Sequence, residues 1–175
     1  NGNVYSTGMF EGTVDFDPGP DTLYLSGQLM SGAHMFIQKL DATGKLLWAR
    51  AIIGNDVNGK SITTDTAGNV YVTGSFGYFA DFDPGPDTLM LQSGLQEIFI
   101  LKLDSNGSLV WVNNMVSSSL PGNSGLSITI DDNGNIYTTG YFKSSGAFIS
   151  GTDTFNLSSH GSNDIFVLKM DDNAN

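Results

Sequence analysis

The chain of 175 residues has no cysteine, few basic residues and no long apolar run. The absence of cysteine excludes disulfides, thiol nucleophiles and thiolate metal sites. Seven lysines and arginines stand against 18 aspartates and glutamates, which gives a net charge of −11. Phosphate backbones and anionic membranes repel such a chain, so we expect no nucleic-acid partner. No apolar run approaches the ~18 residues of a membrane span, so we also expect no membrane insertion.

A sustained apolar spacing of 3.6 residues is missing as well, so the sequence predicts essentially no helix. In its place are 22 glycines and a 39% share of hydrophobic residues, with only 14% charged residues. This amount of apolar material is sufficient for a packed core. Low charge with many glycines is typical of strands joined by tight turns.

One short motif occurs three times along the chain. GNVYSTG, GNVYVTG and GNIYTTG begin at residues 2, 68 and 134, which are 66 residues apart. In the middle copy, four strand-like segments can be recognised, at 61–65, 69–76, 97–104 and 108–114. A fixed period of this length with strand-like content predicts an all-β fold built from four-stranded antiparallel units, the blades of a β-propeller.

The repeat predicts three blades, of which two are incomplete. Blade 1 (1–55) lacks its first strand, blade 2 (56–120) is complete and blade 3 (121–175) lacks its last strand. Propellers typically contain ~4–8 blades. We therefore expect a piece of a larger propeller, with several copies completing one ring as the alternative. The predicted partners are the remaining blades, from the same or another chain.

The segment DFDPGPDT occurs at 15–22 and again at 81–88. It supplies two sets of three carboxylates, which are Asp15, Asp17, Asp21 and Asp81, Asp83, Asp87. Carboxylates and backbone carbonyls are the ligands that calcium prefers, so these six residues are candidate calcium ligands. The alternative is a structural turn, in which proline fixes φ and aspartate side chains cap the backbone. We favour the turn and keep calcium as the alternative.

Three sets of large side chains recur at equivalent repeat positions. The sets are Trp48 and Trp111; Tyr5, Tyr71 and Tyr137; and Lys39, Lys102 and Lys169. A large aromatic at the same place in each copy indicates packing between blades, because it buries much area there. Each lysine lies within an apolar strand, so we expect it to pair with an aspartate or to reach the rim.

Taken together, GNVYVTG, DFDPGPDT and IFILKLDSNGSLVW resemble the SBBP family of β-propeller repeats, known from secreted and surface proteins of Bacteroidota. The likeness covers almost the whole chain, although the third copy has ISGTDTF (149–155) where the others have DFDPGPDT. The hairpin LDATGKLLW is also similar to the tryptophan-docking repeat of quinoprotein propellers. The SBBP resemblance implies an extracellular or cell-surface location and a non-enzymatic role as a spacer, adhesin or binding module.

Three alternatives to a plain scaffold remain open. A binding module would take a glycan or a surface protein at loops on one face, with calcium as a stabilising ion, and Tyr78, Phe79 and Tyr141 are the aromatics that it would use. A propeller hydrolase or lyase would need convergent carboxylates with perturbed pKa values. We expect no enzyme, because a catalytic site normally interrupts such regular repetition. The remaining alternative is a filament of many copies at the cell surface.

Overall fold

The computed structural model describes residues 2–27, 32–117, 122–150 and 153–175 and contains only strands, turns and bends there. The prediction of an all-β chain without helices is confirmed for these residues. None of them forms a helix with the length and apolarity needed to cross a bilayer. The strands are Val4–Phe10 (β1), Thr13–Asp15 (β2), Tyr24–Ser26 (β3), His34–Leu40 (β4), Leu46–Thr64 (β5), Val70–Asp81 (β6), Met90–Leu103 (β7), Leu109–Ser117 (β8), Ser124–Ile130 (β9), Ile136–Phe142 (β10), Ser145–Ser150 (β11), Asp153–Ser158 (β12) and Asp164–Met170 (β13).

All strand pairs are antiparallel, and the largest sheet has the order β1-β4-β5-β6-β7-β8-β11-β12. Strand β5 runs through the predicted boundary between blades 1 and 2. Its first part, up to Ile52, pairs with β4, and its part from Ile53 onward pairs with β6. One strand therefore serves as the outer strand of blade 1 and the first strand of blade 2. The boundary predicted at 120 and 121 lies outside the described residues.

The last two residues of the repeated motif hold the second and third strands of each blade together. Thr73 donates its hydroxyl to the carbonyl of Phe99 at 2.8 Å. A Cβ on Gly74 would lie 1.9 Å from the carbonyl oxygen of Asn58 and 3.1 Å from the Phe99 ring. Only glycine fits there, since any side chain would displace backbone. Thr7 and Thr139 make the same bond, to Phe36 and Phe166.

The asparagine and tyrosine of the motif bind an aspartate that precedes it. Asp65 accepts the backbone N–H of Asn69 at 2.9 Å, its side-chain amide at 2.7 Å and the Tyr71 hydroxyl at 3.1 Å. Asp131 makes the same three bonds, to Asn135 and Tyr137. These side-chain bonds close the turn that joins the first two strands of a blade. The motif therefore recurs because its residues close a turn and join two strands within each blade.

The core lies between the blades. One cluster joins Met35, Ile37 and Ile52 of blade 1 to Val72 and Leu101 of blade 2. A second cluster joins blade 2 to blade 3 through the side chains of Tyr71, Ile100, Ile128, Ile136 and Met170. Each blade thus buries its apolar face against the next, as expected for stacked repeats.

Candidate functional site

The DFDPGPDT segment of blade 2 forms the tip of a hairpin that reaches back over blade 1. Extensions of β6 and β7 form its arms, with Asp81 opposite Met90. The same Asp81 pairs on its other side with Ile53, at the outer strand of blade 1. An uncovered sheet edge invites pairing with other chains. The hairpin of blade 2 therefore pairs with one end of the outer strand of blade 1, at Ile53 and Gly54.

Blade 3 repeats this arrangement without the motif. Its hairpin is formed by β11 and β12, and Phe148 of β11 lies opposite Met115 of β8, the outer strand of blade 2. Phe148 also packs on Phe166, with ring centroids 5.0 Å apart. Residues 151 and 152 of the divergent segment lie outside the described residues. The covering hairpin is thus retained in a copy that has a different sequence.

An aromatic anchor fixes each of the two DFDPGPDT hairpins to its own blade. Phe82 packs between Phe76 and Phe99, with centroid distances of 5.2 and 5.1 Å. Phe16 takes the same position in blade 1, at 5.4 Å from Phe10 and 4.9 Å from Phe36. This packing holds the hairpin against the core, whereas its tip lies at the surface.

The aspartates of the DFDPGPDT segments bind backbone in the same way in both copies. Asp15 Oδ1 accepts the N–H groups of Asp17 and Leu23, at 3.0 and 2.9 Å. Asp81 Oδ1 accepts those of Asp83 and Leu89, at 3.1 and 2.9 Å. These bonds are the capping contacts that the turn interpretation expects.

The second and third aspartates differ from the first. Asp17 and Asp83 each accept one glycine N–H, from Gly19 and Gly85 respectively, at 2.7 Å. Asp21 and Asp87 are exposed. Among the described residues, no three histidine or carboxylate side chains are grouped as metal ligands would be. Calcium binding by the six aspartates stays a prediction.

A lysine and a tryptophan of blade 1 bind one carbonyl of blade 2. Lys39 Nζ and Trp48 Nε1 donate to the carbonyl oxygen of Ser105, at 3.0 and 3.1 Å. Lys39 also lies over the ring of Tyr5, 5.4 Å from its centroid. Ser105 belongs to the turn between β7 and β8. We call this set of contacts the first latch. It places Trp48 between the blades, as predicted.

The second latch joins blades 2 and 3 and adds a charge. Trp111 Nε1 donates to the carbonyl oxygen of Asp172 at 3.1 Å. Lys102 Nζ lies 3.4 Å from that oxygen and 2.6 Å from the carboxylate oxygen Oδ1 of Asp172. The single hydroxyl proton of Tyr71 is shared between Oδ1 of Asp172, at 2.5 Å, and the more distant Oδ2 of Asp65, at 3.1 Å. The predicted pairing of a repeat lysine with an aspartate is therefore found at Lys102, whereas the amine of Lys39 binds the carbonyl of Ser105.

The ionisation of the second latch follows from these contacts. Burial acts to raise the pKa of Asp172, but the hydrogen bonds from Lys102 and Tyr71 outweigh it and hold the pKa below its usual value. Burial, and then the Asp172 carboxylate, raise the pKa of the Tyr71 hydroxyl well above its usual value. The hydroxyl stays protonated and the carboxylate stays charged at neutral pH, which is the combination that the hydrogen bond requires.

The sequence did not indicate the acceptors of the latches. Ser105 and Asp172 occupy the second position of a turn, where any residue offers the same carbonyl. A further residue that sequence reasoning missed is Arg50, which donates to the carbonyl of Asn106 at 3.0 Å and lies over the Trp48 ring. The signal that could have found Asp172 is the change from serine to aspartate between equivalent repeat positions.

An open cleft of about 830 Å³ lies between the two DFDPGPDT hairpins. Tyr24 and Arg50 line it from blade 1, and Asp83 and Asp87 line it from the hairpin tip of blade 2. Tyr24 is exposed. Of the three aromatics predicted for a binding surface, Tyr78 and Phe79 are exposed and Tyr141 is half-buried. None of these three lines the cleft.

Comparison with known proteins agrees with this architecture. Residues 47–75 match the family model described as SBBP, a β-propeller repeat. The matched segment contains the outer strand of blade 1 and the first strands of blade 2. The chain is also 28% identical to an uncharacterised WD repeat-containing protein, L264, of Acanthamoeba polyphaga mimivirus. That similarity covers 95% of the chain and 14% of the relative's length. The all-β blades described above are thus of the β-propeller type.

Proposed function

We propose that this chain is a non-enzymatic segment of a β-propeller that acts as a structural scaffold on the outside of the cell. The observation that carries the proposal is that both blade boundaries are closed in the same two ways. A hairpin of each following blade pairs with one end of the outer strand of the blade before it. A lysine and a tryptophan of the preceding blade then bind a turn of the following one. The extracellular location is the part of the proposal that rests on the resemblance alone.

The recurring residues of the chain support a scaffold because their contacts hold the fold together. The threonine, asparagine and tyrosine of the repeated motif bind their own blade. The lysine and tryptophan bind the next blade. A scaffold needs the blades to move and unfold as one body, since blades that open separately could not hold surface loops at fixed distances.

The two tryptophans provide a direct test, because each reports on a different boundary. In Trp111→Phe, the remaining Trp48 reports on the boundary between blades 1 and 2. In Trp48→Phe, Trp111 reports on the boundary between blades 2 and 3. We expect the fluorescence transition of each variant in urea to coincide with its own circular-dichroism transition. Boundaries that unfold at urea concentrations different from the rest of the same chain would overturn the scaffold proposal.

A second candidate function is recognition of a glycan in the cleft between the hairpins. The observation that favours it is the exposed ring of Tyr24 beside Arg50 and Asp87, in a space large enough for a small ligand. An aromatic face with hydrogen-bonding groups around it is a suitable platform for a sugar ring.

A glycan array probed with the intact chain tests this second function. We expect any saturable binding to be lost in Tyr24→Ser and kept in Tyr78→Ser. Tyr78 is a matched control because it is also an exposed tyrosine but lies outside the cleft. Binding that survives Tyr24→Ser, or no saturable binding to any glycan on the array, would contradict glycan recognition in the cleft and leave the scaffold proposal standing.

A further inference from the structure

A second open cleft, of about 510 Å³, lies beside the first latch, at the boundary between blades 1 and 2. Tyr5 and Lys39 line it from blade 1, and Asp65, Gly68 and Ser105 line it from blade 2. A Cβ built on Gly68 would lie 3.5 Å from the Ser105 Cβ and 3.8 Å from the Tyr5 hydroxyl, so these two groups lie close to each other. We call the space between the Lys39 amine, the Tyr5 hydroxyl and the Ser105 side chain the first corner.

The equivalent space at the boundary between blades 2 and 3, which we call the second corner, has the same frame. Its lysine is Lys102, 63 residues after Lys39, and its tyrosine is Tyr71, 66 residues after Tyr5. In both corners the amine lies 5.4 Å from the centroid of the tyrosine ring. In both, a tryptophan donates to the turn carbonyl at 3.1 Å. The second corner therefore shows what this arrangement of amine, ring and carbonyl can hold.

A carboxylate fills the second corner. Oδ1 of Asp172 lies 2.6 Å from Lys102 Nζ and 2.5 Å from the Tyr71 hydroxyl. Ser105 stands at the repeat position of Asp172, 67 residues earlier, and its side chain is a single hydroxymethyl group. This group is too short to reach the place that the Asp172 carboxylate takes. In the first corner that place is therefore part of the open cleft.

The place of the Asp172 carboxylate is distinct from that of the aspartate within the same blade. Tyr71 shares its hydroxyl proton between Asp172 of the following blade and Asp65 of its own. The two carboxylates thus take different positions around one hydroxyl. A turn aspartate bound to Tyr5 in the manner of Asp65 would leave the other position as it is. The first corner is therefore set by Ser105, whichever residues precede Tyr5.

We propose that the first corner binds a small carboxylate, of which acetate is the simplest example. One oxygen of the ligand accepts from the Lys39 amine and from the Tyr5 hydroxyl, as Oδ1 of Asp172 does in the second corner. An ammonium group carries three donors, and Lys102 contacts a carbonyl and a carboxylate together. Lys39 can therefore keep the Ser105 carbonyl while it binds the ligand. Charge-assisted hydrogen bonds of this kind are stronger than neutral ones.

The charges around the first corner favour a monoanion over a dianion. Asp65 lines the same cleft, and the whole chain has a net charge of −11. Sulfate carries two negative charges, so it meets more repulsion from these carboxylates than acetate does. The amine of Lys39 balances one charge. We therefore expect selective binding of carboxylates.

Thermal unfolding of the intact chain in sodium acetate tests the proposal, with sodium chloride at equal ionic strength as the reference. We expect a saturable rise in Tm of about 2–4 °C. Ser105→Asp should abolish the rise, because its own carboxylate fills the first corner. Ser108→Asp is the matched control and should keep it. Ser108 belongs to the same turn but is exposed and lies outside the cleft, so this variant adds the same charge without filling the corner.

Asp172→Ser provides a second, independent variant, since it should open the second corner in the same way. We expect acetate to raise its Tm by more than that of the wild type, because two corners then bind. Each variant is first checked for native circular dichroism. This arm decides the proposal even if Ser105→Asp does not fold.

The same carboxylate chemistry is offered by a free acid and by an acidic side chain of another protein. The end-capped peptide acetyl-Gly-Asp-Gly-amide distinguishes the two sources. We expect acetate to act at the lower concentration, because the turn at Ser105 already takes the place of the backbone that carries the carboxylate in the second corner. A Ser105-dependent rise at lower concentrations of the peptide would support the site and assign its ligand to a protein partner.

Three outcomes would overturn the proposal. The first is the absence of a saturable rise in acetate. The second is an equal rise in the wild type and Ser105→Asp, which is the behaviour of a general salt effect. The third is a rise in sodium sulfate that Ser105→Asp abolishes, which would show that the corner does not select carboxylates. The scaffold proposal is separate from all three, since its own test is the unfolding of the two tryptophan reporters.

Discussion

Lys102 of blade 2 and Asp172 of blade 3 form an ion pair across the blade boundary, with Nζ 2.6 Å from Oδ1. At the preceding boundary the equivalent lysine, Lys39, lies beside Ser105 and donates to its backbone carbonyl. The same latch therefore exists in a charged and an uncharged form within one chain. Because the backbone contact is common to both forms, the contribution of the carboxylate can be measured by exchanging these two residues.

Replacing Asp172 by serine should convert the second latch into the first. The amine of Lys102 keeps the carbonyl but loses a charged partner, and its side chain is only 7% exposed. Since Asp172 itself is 48% exposed, solvent weakens the pair, and we expect a loss of about 1–2 kcal/mol in the free energy of unfolding. Equilibrium unfolding in urea measures this loss. Asp132→Ser is the control, because Asp132 is the second residue of another turn, the one between β9 and β10, and its side chain is exposed. An equal loss in both variants would contradict a role for the ion pair.

The reverse exchange, Ser105→Asp, should strengthen the first latch. The new carboxylate would stand beside Lys39 Nζ, which already lies 3.0 Å from the Ser105 carbonyl. We expect a gain of about 0.5–1 kcal/mol, seen as a higher Tm in thermal unfolding. Ser105→Asn introduces a side chain of nearly the same shape as aspartate but without its negative charge, so it should change the Tm little. A Tm that falls in Ser105→Asp, or rises equally in both variants, would show that Lys39 does not reach the new group.

The charged latch also makes stability depend on pH in a definite direction. The pKa of Asp172 is lowered in the folded chain, so the unfolded chain binds more protons as the pH falls through this range. The contribution of Asp172 is fully present above the ordinary aspartate pKa of ~3.9 and is lost as the pH falls through the lower folded value. The stability difference between wild type and Asp172→Asn should therefore stay constant above about pH 5 and shrink between about pH 5 and pH 2. A difference that stays constant over this range would refute the assignment.

The repeated motif supplies a test of packing that is independent of charge. In Gly74→Ala the new Cβ meets the carbonyl of Asn58 at 1.9 Å, and the neighbouring backbone has no room to move without breaking strand pairs. We expect a loss of about 3 kcal/mol or more, typical of severe overpacking. Gly94→Ala, where a Cβ meets nothing within 4 Å, should cost far less. Chemical denaturation of both variants checks this, and similar losses would be inconsistent with the packing described.

The sequence predicted the strands, the repeat and the packing role of the tryptophans, because each depends on a side chain that recurs at a fixed interval. It could not predict that the DFDPGPDT hairpin pairs with the outer strand of the preceding blade. That pairing is made by backbone groups of Ile53 and Asp81, which any residue except proline provides. For the same reason the sequence could not predict that the backbone carbonyls of Ser105 and Asp172 accept the latch hydrogen bonds. The hairpin of blade 3 shows this most directly, since it keeps the pairing without the motif.

The two interpretations of DFDPGPDT make different predictions for two of its aspartates. If the segment is a capped turn, Asp81→Ala should destabilise the chain by about 1–3 kcal/mol, because two backbone N–H groups lose their acceptor. Asp87→Ala should then have little effect, since Asp87 is exposed at the tip. If calcium binds, both variants should lose a calcium-dependent rise in Tm that the chelator EDTA abolishes in the wild type. Thermal unfolding of the three proteins with calcium and with EDTA distinguishes these interpretations. We expect the pattern of the capped turn, with equal Tm values in calcium and EDTA, because Oδ1 of Asp81 is already occupied by two donors.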